Sequence, residues 1–348
     1  MQRALDLALL GQGHVAPNPL VGCVIVKNNL IIGEGWHKQF GGSHAEVHAI
    51  KSLPSHLSAE GAEVYVTLEP CSHYGKTPPC ADLLIANKVK KVFICNEDPN
   101  PLVSGKGIQK LRDAGIEVEI GLLAENGNQI NTHFFTFHRN NRPYITLKFA
   151  TSRNQFIAEK DGKAIQFSNE LSKTLVHKLR TEHQAILVGT NTANGDNPQL
   201  TSRLWEGNHP LRLVIDPNNR LKKDLQLLTD EHPTWIFTES ISKVEGNKIW
   251  FDLQTKNADA FLNKLLQTLV EKNIQSLLVE GGSYTLQQFI DHQLYDEIIQ
   301  IEHMSDLDDG IHAPKIPIEF QEVKNIGKDN LWKIWQKNQI TPNTWANK

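Results

Sequence analysis

The chain has 348 residues, a length typical of about two domains of ~150 residues each. With 39% hydrophobic and 22% charged residues it is expected to bury ordinary cores, which excludes a disordered chain. The formal net charge of −3 argues against bulk nucleic acid as the main partner but allows local basic pockets. The longest apolar runs, such as residues 274–279, are far shorter than the ~20 residues that span a bilayer.

Strand and helix patterns alternate in the first 125 residues. Residues 21–26 and 30–32 predict a β-hairpin, because the Asn28-Asn29 pair between them favours a tight turn. Ser43 is the predicted N-cap of a helix over residues 44–53. The other predicted elements are a helix over 5–10, a strand over 64–68, a helix over 81–87, a strand over 92–95, a helix over 107–114 and a strand over 116–120. A hairpin followed by β-α-β-α-β is typical of an α/β sandwich with a largely buried central sheet.

A polar stretch over residues 138–143 separates this pattern from a second one. Because Pro143 removes a backbone donor, we place a boundary here and expect domains over residues 1–140 and 141–348. The second half shows no internal repeat and again alternates. Its predicted strands cover 144–149, 185–188, 211–215, 234–237 and 276–279, and its predicted helices cover 169–180, 258–272 and 284–291. Both halves are therefore predicted to be α/β.

Four cysteines in a chain of this length exclude a disulfide scaffold. Residues 1–10 carry one arginine and lack the small-residue pattern of a cleaved secretory signal, so we expect a cytoplasmic protein in a reducing compartment. Cys23 and Cys95 lie within apolar strand patterns and are predicted to be small core residues. Cys71 and Cys80 lie outside the strands, so metal ligation is a candidate role for them.

Three short segments combine metal-ligating residue types at predicted strand-to-helix junctions: His44-Ala45-Glu46, Pro70-Cys71 and Pro79-Cys80. One imidazole and two thiolates are three ligands for zinc, which leaves a fourth position open for water as in catalytic sites. The partial positive charge of a helix N-terminus favours thiolates there. Zinc lowers the pKa of its bound water to ~7, and Glu46 is a candidate to carry the proton from this water to a leaving amine. This H-x-E and P-C…C arrangement is typical of zinc deaminases.

The spacing of the two cysteines departs from the usual C-x-x-C, because eight residues separate Cys71 from Cys80. His73 lies in this insert and is a candidate fourth ligand, which would make the zinc structural. Glu46 argues against that alternative, because a structural site has no use for a proton carrier. His48 follows His44 by four residues on the same predicted helix. It is a candidate ligand in a different geometry or a packing or substrate-side residue.

The chain resembles the family of riboflavin-biosynthesis pyrimidine deaminases, in which the deaminase is fused to a reductase. The resemblance is most specific in residues 1–137 and spans nearly the whole chain. The long insert between the cysteines is one of its marks. The motifs that carry it are Pro17-Asn18-Pro19-Leu20-Val21-Gly22, Gly33-Glu34-Gly35-Trp36-His37, His44-Ala45-Glu46-Val47-His48-Ala49, the run from Thr67 to Cys80, and Asp98-Pro99-Asn100-Pro101. The resemblance implies a cytidine-deaminase-like α/β/α domain followed by a dihydrofolate-reductase-like α/β domain.

The same resemblance implies a substrate and residues that hold it. The substrate would be 2,5-diamino-6-ribosylamino-4(3H)-pyrimidinone 5′-phosphate, from which water activated by zinc releases ammonia. Asn18 and His37 would hold the ring or ribose, and Lys76 would meet the phosphate. The residues alone leave simpler alternatives open, since Asn18 also suits the turn between two prolines and Lys76 also suits a solvated loop.

The second half lacks the G-x-G-x-x-G fingerprint of dinucleotide-binding folds. The predicted strand 276–279 instead leads through Glu280 into Gly281-Gly282-Ser283 and then a helix. Glycines at this position expose backbone N–H groups that can hold a phosphate, although a plain tight turn explains them as well. A second predicted strand runs into a Gly/Thr/Asn loop over residues 189–192. Two such loops at strand carboxyl ends outline the crevice where α/β sheets bind ligands.

These segments resemble the reductase half of the same family, which implies an NADPH site and a sugar-phosphate site. NADPH would be bordered by the loop from Thr192 to Asp196, by Gly281, Gly282, Ser283 and Tyr284, and by Ala150. The substrate would be held by Arg180, Leu200, Arg203 and Glu280, with both arginines on its phosphate. Lys148 is a candidate proton donor or imine-stabilising charge. A surface ion pair for Arg180 and a solvent-directed strand end for Lys148 are the structural alternatives.

The second half departs from the family pattern at three places. The family usually has A-x-S-L-D-G after the first strand, where this chain has Ala150-Thr151-Ser152 followed by Arg153-Asn154-Gln155. Gln166 replaces a tryptophan that is usual near the cofactor, and residues 304–310 form an atypical loop. Arg153 is a candidate for binding a cofactor phosphate; alternatively, these changes weaken reduction.

The leading hypothesis is a bifunctional zinc deaminase and NADPH-dependent reductase of riboflavin synthesis, acting on a small phosphorylated pyrimidine. One alternative is a deaminase with a degenerate, inactive reductase half. A nucleic-acid-binding deaminase is opposed by the slightly acidic balance, because such binding depends on phosphate neutralisation. The fourth hypothesis is a non-catalytic zinc-binding protein that only assembles with partners. A homo-oligomer and a preference for NADPH over NADH are expected only from the resemblance.

Overall fold

The computed structural model describes residues 1–337 except 75–77, 101–102, 164 and 256. It divides into two compact units, the first formed by Met1–Arg142 and the second beginning at Pro143. In the part of the chain that is described, no helix is both long enough and apolar enough to cross a membrane.

The first unit contains five strands and six helices among its described residues. In chain order they are α1 (Gln2–Leu9), β1 (Gly22–Lys27), β2 (Leu30–Trp36), α2 (Ala45–Lys51), β3 (Glu63–Leu68), α3 (Cys80–Ala86), β4 (Lys91–Asn96), α4 (Lys106–Asp113), β5 (Glu117–Ile120), α5 (Ala124–Ile130) and α6 (Thr132–Asn140).

The five strands form one sheet in the order β2-β1-β3-β4-β5. β1 is antiparallel to β2 and β3, whereas β3, β4 and β5 are parallel. Asn28 and Asn29 both adopt left-handed backbone angles in the hairpin turn, as a two-residue turn between twisted strands requires. Apolar side chains of the central strands pack with α2, α3 and α4 in one core. The predicted hairpin and buried α/β sheet are confirmed.

Two local predictions in this unit are wrong. Ser43 does not cap α2: His44 occupies the N-cap position, and its side chain makes no capping hydrogen bond. Residues 138–140, assigned from their polarity to a connecting stretch, belong to α6. The buried Phe134, Phe135 and Phe137 supply the apolar face of this helix, and its polar end is solvated.

The second unit is built on a larger sheet. Its elements are β6 (Tyr144–Thr151), β7 (Phe156–Ala158), α7 (Glu170–Glu182), β8 (Ala185–Gly189), α8 (Thr190–Asp196), β9 (Leu211–Ile215), α9 (Gln226–Thr229), β10 (Thr234–Thr238), β11 (Lys243–Glu245), β12 (Lys248–Asp252), α10 (Ala258–Glu271), β13 (Ser276–Val279), α11 (Ser283–Asp291), β14 (Glu297–His303), β15 (Ile311–His312), β16 (Glu322–Ile326) and β17 (Asn330–Gln336).

Ten of these strands form a sheet in the order β11-β12-β10-β9-β8-β13-β6-β14-β17-β16. The strands from β12 to β14 in this order are parallel, and antiparallel strands complete both edges. The central strands are almost continuously apolar because both of their faces are covered. The α/β fold class predicted for this half is confirmed. Residues 190–196, predicted as a loop, form the short helix α8.

Candidate functional site

The three predicted zinc ligands lie together in the first unit. His44 is the N-cap of α2, Cys71 follows β3, and Cys80 is the first residue of α3. The Nδ1 atom of His44 lies 3.6 Å from the Sγ of Cys71 and 3.3 Å from the Sγ of Cys80. All three ligand atoms lie within 4.8 Å of one another. One imidazole nitrogen and two sulfurs that converge in this way fit a tetrahedral zinc ion with one position left for water.

The surroundings of the two thiols favour charge on Cys71. Its pKa is lowered because it accepts a hydrogen bond from Cys80 and lies beside His44. The backbone N–H of Cys80 also donates to its sulfur, at 3.3 Å. The pKa of Cys80 is raised because the neighbouring Cys71 carries the negative charge and because Cys80 is buried. These contacts favour the thiolate form of Cys71, the form in which a cysteine ligates zinc.

Glu46 lies on the first turn of α2, two residues after His44, and is only 3% exposed. Burial raises the pKa of its carboxyl, and its side chain is hydrogen-bonded to Cys80. A buried carboxyl with a raised pKa beside a metal site is suited to accept and return a proton. Its position is the one expected of the proton carrier.

Asn18 and His37 meet each other beside His44. The amide of Asn18 donates to the Nε2 of His37 at 3.0 Å, and the Nδ1 of His37 donates to the Ser43 carbonyl at 3.0 Å. Burial lowers the pKa of His37, in agreement with a neutral ring that accepts at Nε2. The rings of His37 and His44 pack edge to face with centroids 5.7 Å apart. The structure thus brings both predicted substrate residues to the metal cluster.

The remaining candidates of the first unit separate clearly. Among the described residues, neither His73 nor His48 joins the cluster of possible metal ligands. His73 is exposed and lies near Asp98. Cys23 and Cys95 are fully buried, as predicted for core residues. Lys76, the predicted phosphate ligand, lies outside the described residues.

A buried carboxylate, Glu69, connects the Cys71 segment to the segment after β4. It is 4% exposed and accepts four backbone N–H groups, from Asp98 (3.3 Å), Gly105 (3.0 Å), Gly107 (2.9 Å) and Ile108 (3.3 Å). The two segments touch directly as well, because a Cβ on Gly107 would lie 1.9 Å from the Pro70 carbonyl oxygen.

Asp98, which Glu69 holds in place, carries a perturbed carboxyl. Burial raises its pKa to about 6, and the nearby Glu69 and Cys71 act in the same direction. Glu69 and Asp98 both lie in motifs that carry the family resemblance, but neither was predicted to belong to the site.

Replacing Glu69 by glutamine is expected to lower the free energy of unfolding by about 2–4 kcal/mol, because an amide N–H then faces backbone donors that had shared a charged acceptor. Glu63→Gln at the start of β3, the strand that ends just before Glu69, is the control, since Glu63 is half-buried and accepts only from the Tyr65 hydroxyl in the described contacts. Chemical denaturation of zinc-loaded protein measures both changes. Equal stability of the two variants would contradict the proposal that Glu69 stabilises the fold through its four backbone N–H donors.

In the second unit, Lys148, Arg180 and Glu280 form a buried charged group. Arg180 donates from Nε and Nη2 to the two carboxylate oxygens of Glu280, at 3.1 and 2.8 Å, and from Nη1 to the Thr201 carbonyl at 3.0 Å. Burial alone would raise the pKa of Glu280, but Arg180 and Lys148 lower it to about 2. Burial and the nearby Arg180 lower the pKa of Lys148.

The ion pair of Arg180 is therefore an internal one, with side-chain exposures of 13% for Arg180 and 8% for Glu280. It is neither the helix-surface pair of the structural alternative nor a free guanidinium that waits for phosphate.

The two glycine-containing turns at the ends of β8 and β13 pack against each other. A Cβ on Gly281 would lie 2.4 Å from the Cα of Val188, and one on Gly282 would lie 2.9 Å from the Oγ1 of Thr192. Gly282 also has a positive φ of 47°. These turns start α8 and α11, and neither helix has a side-chain cap among the described residues. Two adjacent uncapped helix starts at strand carboxyl ends fit an anionic, phosphate-bearing cofactor.

The other predicted reductase residues lie on β6, on α8 and α11, and in the segment that follows α8. Ala150 lies in β6, Asp196 ends α8, and Ser283 and Tyr284 start α11. Leu200 is buried and has a left-handed φ of 57°, which is unusual for a leucine. Arg203 is exposed, and within the described part of the chain its guanidinium forms no ion pair and only a 3.4 Å contact to the Oγ1 of Thr201. Of the two predicted phosphate arginines, Arg203 is the one with free donors.

Two segments that depart from the family pattern, residues 153–155 and residues 304–310, contact each other. Arg153 forms an ion pair with Asp306, and its backbone N–H donates to the Ser305 carbonyl. The amide of Asn154 pairs with the backbone of Leu307 in both directions, at 2.7 and 3.0 Å. The atypical loop over residues 304–310 is thus the partner of the altered Arg153-Asn154-Gln155 segment, and Asp306 already neutralises Arg153, the residue considered for a cofactor phosphate.

Comparisons with known proteins match the two halves of the chain to two different families. Residues 1–96 match the family described as "Cytidine and deoxycytidylate deaminase zinc-binding region", and residues 143–301 match "RibD C-terminal domain". The chain is 44% identical over 308 residues to "Riboflavin biosynthesis protein RibD" of Bacillus amyloliquefaciens, which covers 86% of this chain and 82% of that protein. It is 38% identical over 341 residues to the protein of the same name from Aquifex aeolicus, covering 94% and 95%.

Solved structures agree over nearly the full length. A diaminohydroxyphosphoribosylaminopyrimidine deaminase/5-amino-6-(5-phosphoribosylamino)uracil reductase from Thermotoga maritima is 36% identical with a TM-score of 0.86, covering 97% of each chain. RibD of Acinetobacter baumannii, in its second crystal form, is 32% identical with a TM-score of 0.87 and the same coverage. The chain belongs to the RibD family of riboflavin biosynthesis and is a bifunctional enzyme, a zinc-dependent deaminase and an NADPH-dependent reductase in one polypeptide.

Proposed function

We propose that residues 1–140 deaminate 2,5-diamino-6-ribosylamino-4(3H)-pyrimidinone 5′-phosphate and that residues 141–348 reduce its ribosyl chain to give 5-amino-6-(5-phosphoribitylamino)uracil. The observation that carries the proposal is the convergence of His44, Cys71 and Cys80 around one point with the buried Glu46 beside them. The matching substrates in the name of the Thermotoga maritima relative support it.

In the deaminase part, His44, Cys71 and Cys80 would hold zinc, which supplies a Lewis acid that makes a water nucleophilic near neutral pH. Glu46 accepts the proton of this water and passes it to the amine, which leaves as ammonia. The Oδ1 of Asn18 then faces the substrate, because its amide nitrogen is engaged by His37. His37 keeps that amide oriented through its own bond to Ser43. Lys76 is proposed to bind the substrate phosphate on the strength of the motif alone.

In the reductase part, NADPH supplies the hydride when it is bound. We propose that Ala150, Thr192, Asp196 and the α11 start at Gly281, Gly282, Ser283 and Tyr284 border this cofactor. Glu280 and Leu200 contact the substrate, and Lys148 stabilises or protonates the opened ribosylamine as the hydride arrives at its anomeric carbon. Arg180 fixes the carboxylate of Glu280, and Arg203 binds the phosphate. The intact charged group of Lys148, Arg180 and Glu280 supports an active reductase.

Arg203→Ala is expected to raise the KM for the deaminated pyrimidine phosphate about 10–100-fold with little change in kcat, because charge-assisted bonds to a phosphate contribute to binding. The measurement is NADPH oxidation, followed by absorbance, against substrate concentration. Lys324→Ala serves as the control, since it removes an exposed charge of the same unit from the edge strand β16, where it pairs with Glu322. An unchanged KM in the Arg203 variant would remove the phosphate role.

Two assays test the proposed function as a whole. Metal analysis should find about one zinc ion per chain, because one three-ligand site is found among the described residues. The deaminated intermediate should then oxidise NADPH faster than NADH. A protein that binds zinc but releases no ammonia from the diaminopyrimidine would contradict the deaminase substrate.

We further propose a cytoplasmic homo-oligomer. All four cysteines are free, and a zinc site with two thiolates depends on a reducing compartment. Association of copies is an expectation from the family resemblance, and light scattering of the purified chain tests it.

A further inference from the structure

One buried histidine of the reductase pocket has no part in the mechanism so far. His177 lies on α7, one turn before Arg180, and is only 5% exposed. Its Nδ1 accepts a hydrogen bond from the backbone N–H of Arg203 at 3.1 Å. The residue therefore connects the helix that carries Arg180 to the turn that carries Arg203.

The bond at Nδ1 requires a neutral ring with its proton on Nε2. Burial and the adjacent Arg180 and Arg203 lower the pKa of His177 to about 4, against the opposing effects of Glu280 and of a backbone hydrogen bond to Thr201. The ring consequently stays an acceptor throughout the range in which the enzyme works, even though it lies among three charged side chains.

The turn over residues 200–203 depends on such contacts for its position. Leu200 holds a left-handed backbone conformation, which is strained for a residue with a side chain and persists only where neighbours enforce it. Arg180 donates a hydrogen bond to the Thr201 carbonyl. The backbone N–H of Ser202 donates to the Nδ1 of His209 at 3.2 Å. His177 supplies the corresponding acceptor for Arg203, whose side chain is exposed and weakly held.

We propose that His177 is a positioning residue of the reductase: by accepting the Arg203 N–H, it fixes the guanidinium of Arg203 where it meets the substrate phosphate. The inference rests on the proposed phosphate role of Arg203. It predicts that His177 governs affinity for phosphorylated substrate and not the hydride transfer itself.

Three variants separate the acceptor from the volume it occupies. His177→Asn places an amide oxygen near the position of Nδ1, His177→Leu fills a similar space without an acceptor, and His177→Gln stays polar but places its oxygen farther along the side chain. The Leu and Gln variants should raise the KM for the deaminated pyrimidine phosphate about fivefold to tenfold with kcat within about twofold, since the acceptor for the Arg203 N–H is lost. The Asn variant should return to within about threefold of the original KM. The KM for NADPH should not change.

The phosphate-free riboside analogue and Arg203→Ala complete the test. All His177 variants should use the analogue as well as the unaltered enzyme does. A raised KM in Arg203→Ala with an unchanged KM in both His177→Leu and His177→Gln would overturn the His177 inference and leave the phosphate role intact. An unchanged KM in Arg203→Ala would overturn both. A lowered kcat, or an Asn variant no better than Leu, would overturn the acceptor role.

Discussion

Glu46→Gln is expected to lower the kcat of deamination by about 10²–10⁴-fold or more, because an amide of the same shape can neither accept nor return the proton. The zinc content should stay at about one ion per chain, since Glu46 is not among the three clustered ligands. Ammonia release from the diaminopyrimidine and metal analysis of the same sample are the two measurements.

The control for this variant is Glu60→Gln, which removes an exposed carboxylate that pairs with Lys88 at the surface. It should leave both activities unchanged. Glu46→Gln should itself still reduce the deaminated intermediate at the original rate. Loss of zinc together with activity would show that Glu46 supports the metal and would contradict its role as the proton carrier.

Glu280→Gln is expected to lower kcat/KM for reduction by about 10²–10³-fold and the free energy of unfolding by about 3 kcal/mol, with deamination intact. The reason is that the substitution leaves the guanidinium of Arg180 and the ammonium of Lys148 without their buried carboxylate. NADPH oxidation and chemical denaturation measure the two effects.

Glu302→Gln is the matched control for Glu280. Glu302 has a side-chain exposure of 10% and accepts from Lys333 at 2.6 Å and Gln155 at 2.8 Å, so it too is a buried, paired carboxylate of the second unit. Glu302→Gln should lower the free energy of unfolding by a similar amount but lower kcat/KM for reduction much less. Equal losses of activity in the two variants would show that destabilisation alone accounts for the Glu280 effect.

The same carboxylate gives stability a defined pH dependence. The pKa of Glu280 is about 2 in the folded protein, compared with ~4.3 for an unperturbed glutamate. A carboxyl whose pKa is depressed by folding stabilises fully above its unfolded value, and this contribution is lost as the pH falls through the folded one. The stability difference between the unaltered protein and Glu280→Gln should therefore be constant above about pH 5 and shrink towards pH 2.

The deaminase site could be predicted because its chemistry is concentrated in short segments. His44 and Cys80 lie at helix starts, Cys71 follows the strand β3, and the spacing between His44 and Glu46 is local. The parallel strands β3 and β4 then bring the Cys71 segment to the same edge of the sheet as the segment after Asn96. Nothing in the sequence pairs Glu69 with the N–H groups of Gly105 and Gly107, because that contact exists only after the strands align.

The second unit was harder to predict because its groups come from distant segments. Strand β14 was missed since the buried Gln300 and Glu302 interrupt its apolar pattern, although they are satisfied by Gln155 and Lys333. His177 was missed because a lone histidine on a helix carries no signal. The ion pair of Arg153 could not be predicted for a similar reason, since its partner Asp306 lies 153 residues away.

The central claim is that one chain performs deamination and reduction in sequence. Its most direct test incubates zinc-loaded protein with the diaminopyrimidine ribosylamine phosphate and NADPH, and follows ammonia and nicotinamide absorbance together. We predict one NADPH oxidised for each ammonia released, with oxidation lagging behind release and absent in Glu46→Gln until the deaminated intermediate is added. Ammonia release without any oxidation of NADPH, or oxidation that proceeds without prior release of ammonia, would contradict the account.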